Sequence, residues 1–147
     1  MNFFNFVGNA GAIGALSSFL ESGRTPHALL LEGPSGCGKK TLATYYAAAL
    51  LCRGEGEAPC GVCPECHRVL TGIHPDVTLI ENGGKSIGVD KIRTLRQDAY
   101  LKPTEADWRI FLIPDAHLMT PQSQNALLQI LEEPPANVVI LLTALSR

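Results

Sequence analysis

Within EGPSGCGKKTLA, residues 32–43, Gly33, Gly38 and Lys39 have the spacing G-x-x-x-x-G-K of a phosphate-binding loop. Glycines there let successive backbone N–H groups turn inward around an anion, and a helix opening behind the loop adds the positive end of its dipole. Lys39 is placed to reach terminal phosphates, and Gly36 lies in the same loop. The template next asks for a Ser or Thr whose hydroxyl ligates Mg²⁺, and here the residue is Lys40. Thr41 follows, but one further helical residue turns a side chain by about 100°, away from the phosphates. An ammonium at position 40 supplies positive charge, yet it repels a metal ion. The plain alternative is a glycine-rich strand-to-helix turn with no ligand.

A second strand should bring the acidic metal ligand. RIFLIPDAHLM, residues 109–119, has the required apolar run, which normally ends in Asp-Glu. Aligned on that run, Pro114 takes the Asp position and Asp115 the Glu position. Shifted by one residue, Asp115 becomes the ligand and Ala116 replaces the base. Either way one component is missing, so hydrolysis is not expected, while nucleotide binding stays open.

Cys52, Cys60, Cys63 and Cys66 form C-x7-C-x2-C-x2-C. Thiolates on short loops converge on a tetrahedral ion, and four sulfurs with no open position describe a structural Zn²⁺ site. Disulfides are the first alternative, although nothing points to an oxidising compartment. An iron–sulfur cluster is the second, because C-x2-C-x2-C also begins a ferredoxin run. His67 and His74 are possible replacement ligands. Cys37 stands apart, in the phosphate loop.

These residues need a scaffold. HALLLEG (27–33), PDVTLIE (75–81), WRIFLIP (108–114) and NVVILLTA (137–144) read as strands, the third continuously apolar, as parallel strands buried on both faces are. TLATYYAAALL (41–51) reads as a helix of good formers. Val89, Ile92 and Ala99 stripe a helix over about 88–101. In MTPQSQNALLQILEEPP (119–135), Thr120 caps, Pro121 fits the first helical position, Leu127, Ile130 and Leu131 form the buried stripe, and Pro134-Pro135 end the helix. Ile13, Leu16 and Leu20 mark an amphipathic N-terminal helix closed by Gly23, and the absence of Lys or Arg before Arg24 argues against a signal peptide. Alternating strands and helices predict a parallel α/β sheet wrapped by helices, with residues 52–67 as an insertion.

The 147 residues amount to one domain, and 46% apolar with 18% charged residues is an ordinary globular composition. A net charge of −2 gives no case for gripping nucleic acid through the whole surface, so any DNA contact is local or supplied by partners. No apolar run approaches a membrane span, and the expected location is the cytoplasm. Lys85, Lys91, Arg93, Arg96 and Lys102 outnumber Asp90, Asp98 and Glu105 locally. A solvated helix face is the expected reading, over a DNA or partner contact. Because NVVILLTALSR ends on an apolar strand, the chain is expected to be a fragment of something longer.

The phosphate loop, the four-cysteine insertion after its helix, and then HPDV, SIGVDKIRTLRQ and NALLQILEEPP occur in an order that resembles bacterial clamp-loader subunits. More narrowly it is similar to the delta prime subunits of DNA polymerase III, with the tau/gamma subunits as close relatives. The resemblance runs from about residue 7 to the end. It implies a three-layer P-loop (AAA+) domain over residues 1–147, with lid and collar domains further on. It implies zinc at Cys52, Cys60, Cys63 and Cys66, and places Thr143 where the terminal phosphate is sensed. The implied partners are the delta and tau/gamma subunits and, indirectly, the sliding clamp and primed DNA, with no membrane. The implied role is in DNA replication, within a DNA-directed DNA polymerase (nucleotidyltransferase) holoenzyme.

Lys40 and Pro114 depart from the motor subunits and fit the non-motor delta prime kind, which supplies an arginine finger to a neighbour. Ser146-Arg147 lies too close to Thr143 for that finger, which is expected further along the chain. Two other readings compete. One is an active ATPase of the tau/gamma kind using Lys39, Asp115 and Thr143 with ATP and Mg²⁺. The other is a zinc-stabilised interaction domain whose phosphate loop is a relic.

Overall fold

The computed structural model describes residues 10–34, 38–81 and 83–145. Gly36 and Cys37 of the phosphate loop, and Ser146-Arg147, lie outside the described residues. Strands β1 (Ala28–Gly33), β2 (Val77–Leu79), β3 (Arg109–Ile113) and β4 (Val138–Leu145) form one sheet in the order β1-β4-β3-β2, and every pairing is parallel. Around it lie α1 (Ala10–Ser22), α2 (Lys39–Leu51), α3 (Pro64–Leu70), α4 (Val89–Ala99), α5 (Pro121–Glu132) and a 3₁₀ turn at Ala116–Leu118.

Successive strand side chains point to opposite faces, and both faces of this sheet are covered. Ile110, Leu112, Val139 and Leu141 pack with Leu16 of α1, Leu42 and Tyr46 of α2, and Val69 of α3. Phe111, Ile113, Val138, Ile140 and Leu142 pack with Ile92 and Leu95 of α4 and Leu127 and Ile130 of α5. Two cores on opposite sides of one sheet make three layers, which explains the unbroken apolar runs Ile110–Ile113 of β3 and Val138–Leu142 of β4.

The local signals act as expected at both ends of the chain. Gly23, at φ 70°, closes α1 with its N–H donated to the Leu20 carbonyl at 3.4 Å, a conformation glycine reaches without strain. Thr120 Oγ1 accepts the Ser123 N–H at 3.2 Å and so caps α5. The fully buried Ser123 then donates its hydroxyl to the Ile87 carbonyl at 2.7 Å, tying that cap to the segment before α4.

Some details differ from the sequence reading. Leu95 joins Ile92 and Ala99 in the buried face of α4, whereas Val89 is half-buried at the first turn. Leu131 is also half-buried, on the flank of α5. The second strand is limited to Val77–Leu79. Neither α3 nor the 3₁₀ turn is foreseen, because α3 is only seven residues long and is organised by its cysteines and Pro64 rather than by apolar periodicity.

Candidate functional site

The strand order places β1 beside β4. The helix leaving β1, α2, and the helix entering β4, α5, belong to opposite cores. A crevice outside the carboxyl ends of strands at such a switch point is where open α/β sheets take ligands. Here it holds a cavity of about 250 Å³ lined by Gly38, Lys39, Lys40, Thr41, Pro114, Asp115, Thr143 and Leu145. Six predicted residues therefore converge: Gly38, Lys39, Lys40, Thr41, Asp115 and Thr143. Thr41 lines the cavity despite the rotation expected to turn it away, since the whole first turn of α2 faces this crevice.

Gly38 is the N-cap of α2 at φ 83°, ψ 22°, the left-handed region that glycine enters without a Cβ clash. Among the described residues no side chain caps that helix end, which leaves its first-turn N–H groups to an anion. Lys39 Nζ donates to the carbonyls of Gly33 at 2.8 Å and Pro34 at 2.9 Å, which folds the ammonium back across its own loop. Lys40 Nζ instead lies 3.6 Å from Glu81 Oε2, and both side chains are about half exposed. Glu81 was not singled out from sequence; an acidic residue just past the carboxyl end of β2 was the available signal.

Opposite α2, Leu31 pairs with Thr143 and Ile113 pairs with Leu142. Pro114, one residue beyond Ile113, thus comes level with Thr143 and offers no ligand atom. Asp115 turns into the left-handed region at φ 57°, ψ 47°, with its carboxylate exposed. Its N–H donates to Thr143 Oγ1 at 3.1 Å. Among the described residues the cavity presents two ammonium groups, a helix N-terminus, one buried hydroxyl and a single carboxylate, an arrangement suited to an anion.

A second constellation forms at the far end of α2. Cys52 is the residue after that helix, Cys63 is the N-cap of α3, and Cys66 is buried inside α3. The four Sγ atoms of Cys52, Cys60, Cys63 and Cys66 all lie within 4.8 Å of one another. Sulfurs bound at about 2.3 Å in a tetrahedron stand nearly 4 Å apart, and Cys60 and Cys66 Sγ are 4.0 Å apart. Backbone N–H groups of Cys60, Cys63 and Cys66 donate to Cys52, Cys60 and Cys63 Sγ at 3.4, 3.2 and 3.4 Å, which favours sulfurs carrying negative charge. Backbone donors at Val62 and then Cys63 hold the Cys60 thiol down to about 6, while burial pushes Cys66 up. A Cβ on Gly54 would collide with Cys60 Sγ, so the loop closes over the cluster only because glycine stands there. The cluster can hold a metal ion, and the all-sulfur donor set is compatible with zinc.

His67 and His74 stay apart from the sulfur cluster, which among the described residues consists of the four cysteines. His74 is buried and its Nδ1 accepts the Asp76 N–H at 3.0 Å, which leaves the proton on Nε2. Asp76, fully buried, accepts backbone N–H bonds from Thr104, Glu105 and Ala106 at 2.6, 2.8 and 2.8 Å. Burial pushes its carboxyl up, but these three donors together outweigh that and hold it below the usual carboxylate range. Arg68 of α3 reaches Glu105 at 2.6 Å, so the cysteine-bearing helix is tied to the same loop. Lys85, Lys91, Arg93, Arg96 and Lys102 are all exposed, with Arg93 3.6 Å from Asp90 and Arg96 Nη1 donating to Gln129 Oε1 at 3.4 Å.

A parallel three-layer α/β domain with a basic cavity at the switch point, and a four-cysteine cluster on a helix of its first crossover, defines the class of protein. Residues 8–147 match the family described as "DNA polymerase III, delta subunit", and the chain belongs to that family. It is 37% identical over 142 residues to the DNA polymerase III subunit gamma/tau of Mycobacterium tuberculosis (strain H37Rv), covering 95% of this chain and 25% of that protein. To the DNA polymerase III subunit tau of Escherichia coli (strain K12) it is 35% identical over 141 residues, covering 95% of this chain and 22% of that protein. The chain thus spans about a quarter of the length of these curated relatives. A solved gamma-subunit-related protein of Thermotoga maritima shares the fold, with a TM-score of 0.66 at 23% identity over 88% of this chain and 38% of the other. Among the described residues, no helix is long and apolar enough to cross a membrane.

Proposed function

We propose that the chain is the P-loop (AAA+) domain of a non-motor, delta prime type subunit of a bacterial clamp loader. It acts in DNA replication by holding other subunits in place while the sliding clamp is set on primed DNA. The observation that carries this is Lys40 and Pro114 facing one cavity at the two positions where a motor subunit presents its Mg²⁺ ligands. Gly33, Gly36, Gly38, Lys39, Lys40, Thr41, Asp115 and Thr143 form a degenerate nucleotide site. Cys52, Cys60, Cys63 and Cys66 hold a structural zinc ion, whose chemistry is to fix the loop between α2 and α3. Lid and collar domains follow in the longer protein, its partners are the delta and tau/gamma subunits, and it works in the cytoplasm.

Reconstitution of the full-length protein with the delta and tau/gamma subunits of its own organism tests this. Incorporation into the complex, with no ATP turnover by the isolated subunit, is the expected result; failure to join those subunits overturns it.

A second reading is supported by the 37% identity to a gamma/tau subunit: an active ATPase with an unusual metal arrangement. It requires steady ATP turnover that disappears in Lys39→Ala.

A further inference from the structure

The Mg²⁺ that accompanies nucleotide in P-loop proteins does not fit this cavity. Such an ion is held by the loop hydroxyl and a strand-end carboxylate. Here those places carry an ammonium, Lys40, and an imino-acid ring, Pro114; among the described residues the lining leaves the Asp115 carboxylate and the hydroxyls of Thr41, one residue past the ligand position, and Thr143, which already accepts the Asp115 N–H. An ammonium has no lone pair to give a cation, and its charge opposes one.

The same groups suit a more highly charged ligand than a metal–nucleotide complex. Metal-free nucleotide carries two more negative charges than its Mg²⁺ complex. The cavity sets Lys39, Lys40 and the uncapped N-terminus of the thirteen-residue α2 against Asp115 alone.

Lys40 is also placed to move. It lines this cavity and the adjoining groove beside β2, and Glu81 holds its ammonium at 3.6 Å. Both side chains are about half exposed, so the pair is screened and weak, and a phosphate oxygen replaces the carboxylate readily. Lys39 is restrained in parallel fashion by the neutral carbonyls of Gly33 and Pro34.

We propose that Lys40 takes the place of the divalent metal. A nucleoside di- or triphosphate binds here as the free anion, and Lys40 swings from Glu81 onto its phosphates. This rests on the reading of the cavity as a nucleotide site.

The test is a titration of the full-length protein with fluorescent N-methylanthraniloyl-ADP, with Mg²⁺ or in metal-depleted buffer. No chelator is used, since it would also strip the cysteine cluster. The wild type is expected to bind at least as tightly without Mg²⁺. Lys40→Met should weaken the metal-free binding about tenfold or more, the loss of one charge-assisted contact. Lys40→Thr, which restores the hydroxyl, should bind more tightly with Mg²⁺ than without. Glu81→Gln should tighten metal-free binding by about twofold to threefold. Lys40 is exposed, and matching thermal midpoints would show that the variants are folded.

Wild-type binding that requires Mg²⁺, or Lys40→Met binding unchanged without it, overturns the inference and leaves the nucleotide reading standing. Absence of binding by every variant in both buffers overturns the nucleotide reading itself, and this inference with it.

Discussion

Asp115 and Thr143 are joined across the ends of β3 and β4: the Asp115 N–H donates to Thr143 Oγ1 at 3.1 Å while Asp115 holds φ 57°. The hydroxyl that lines the anion cavity is therefore also what secures a left-handed turn at the end of the neighbouring strand. Left-handed backbone is disfavoured for most residues with a Cβ, though Asp enters it more readily, and that bond helps hold the turn. Thr143→Val keeps shape and removes the acceptor at a residue that is 2% exposed. It should cost about 1–2 kcal/mol in denaturant unfolding. Amide exchange should increase at Asp115 and stay unchanged in α4.

Chelation tests the zinc proposed at the cysteine cluster. A chelator should lower the thermal midpoint and selectively release amide protection across residues 52–70, because metal binding and folding of such loops are coupled. Gly54→Ala should weaken zinc affinity about tenfold, through the collision with Cys60 Sγ, while leaving all four ligands in place. Unaltered affinity would show that the loop yields easily.

Acid stability should follow the buried network around Asp76. Burial, followed by the nearby Arg68 charge, lowers His74, which is thus neutral in the fold while an unfolded chain protonates below about pH 6.5. Stability from His74 is full above that pH and is lost as pH falls through its lower folded value. Asp76, held down by three backbone donors, stabilises above the ordinary carboxyl value of about 3.9, and that contribution is lost as pH falls further. Urea midpoints should thus decline in two stages on acidification. Asp76→Asn should cost about 2–4 kcal/mol at neutral pH and flatten the lower stage. The difference between variant and wild type cancels the common contribution of the thiolates.

The cap of α5 gives a graded pair. Thr120→Ala removes one half-buried cap and should cost about 1 kcal/mol. Ser123→Ala removes the fully buried 2.7 Å donor to the Ile87 carbonyl, which keeps the Thr120 N–H at 3.1 Å, and should cost about 1–1.5 kcal/mol. Unfolding free energies in which the Thr120 variant is clearly the weaker would contradict the burial argument.

The sequence determined a good deal. Glycine, proline and threonine acted through local sterics and capping, so Gly23, Gly38, Thr120 and Pro121 lie where their own chemistry puts them. Uninterrupted apolar runs required a sheet covered on both faces, and the cysteine spacing required convergence on one point. Those effects operate over a few residues and are legible without a fold. What only the tertiary structure decided is which distant residues meet. The order β1-β4-β3-β2 brings Thr143 level with Leu31 and Pro114, sets the Asp115 N–H against the Thr143 hydroxyl, and gives Lys40 the partner Glu81. It also selected Leu95 over Val89 for the core, since helical phase against a sheet depends on how the whole layer packs. Sheet pairing and layer packing join segments tens of residues apart, and no local propensity records that energy.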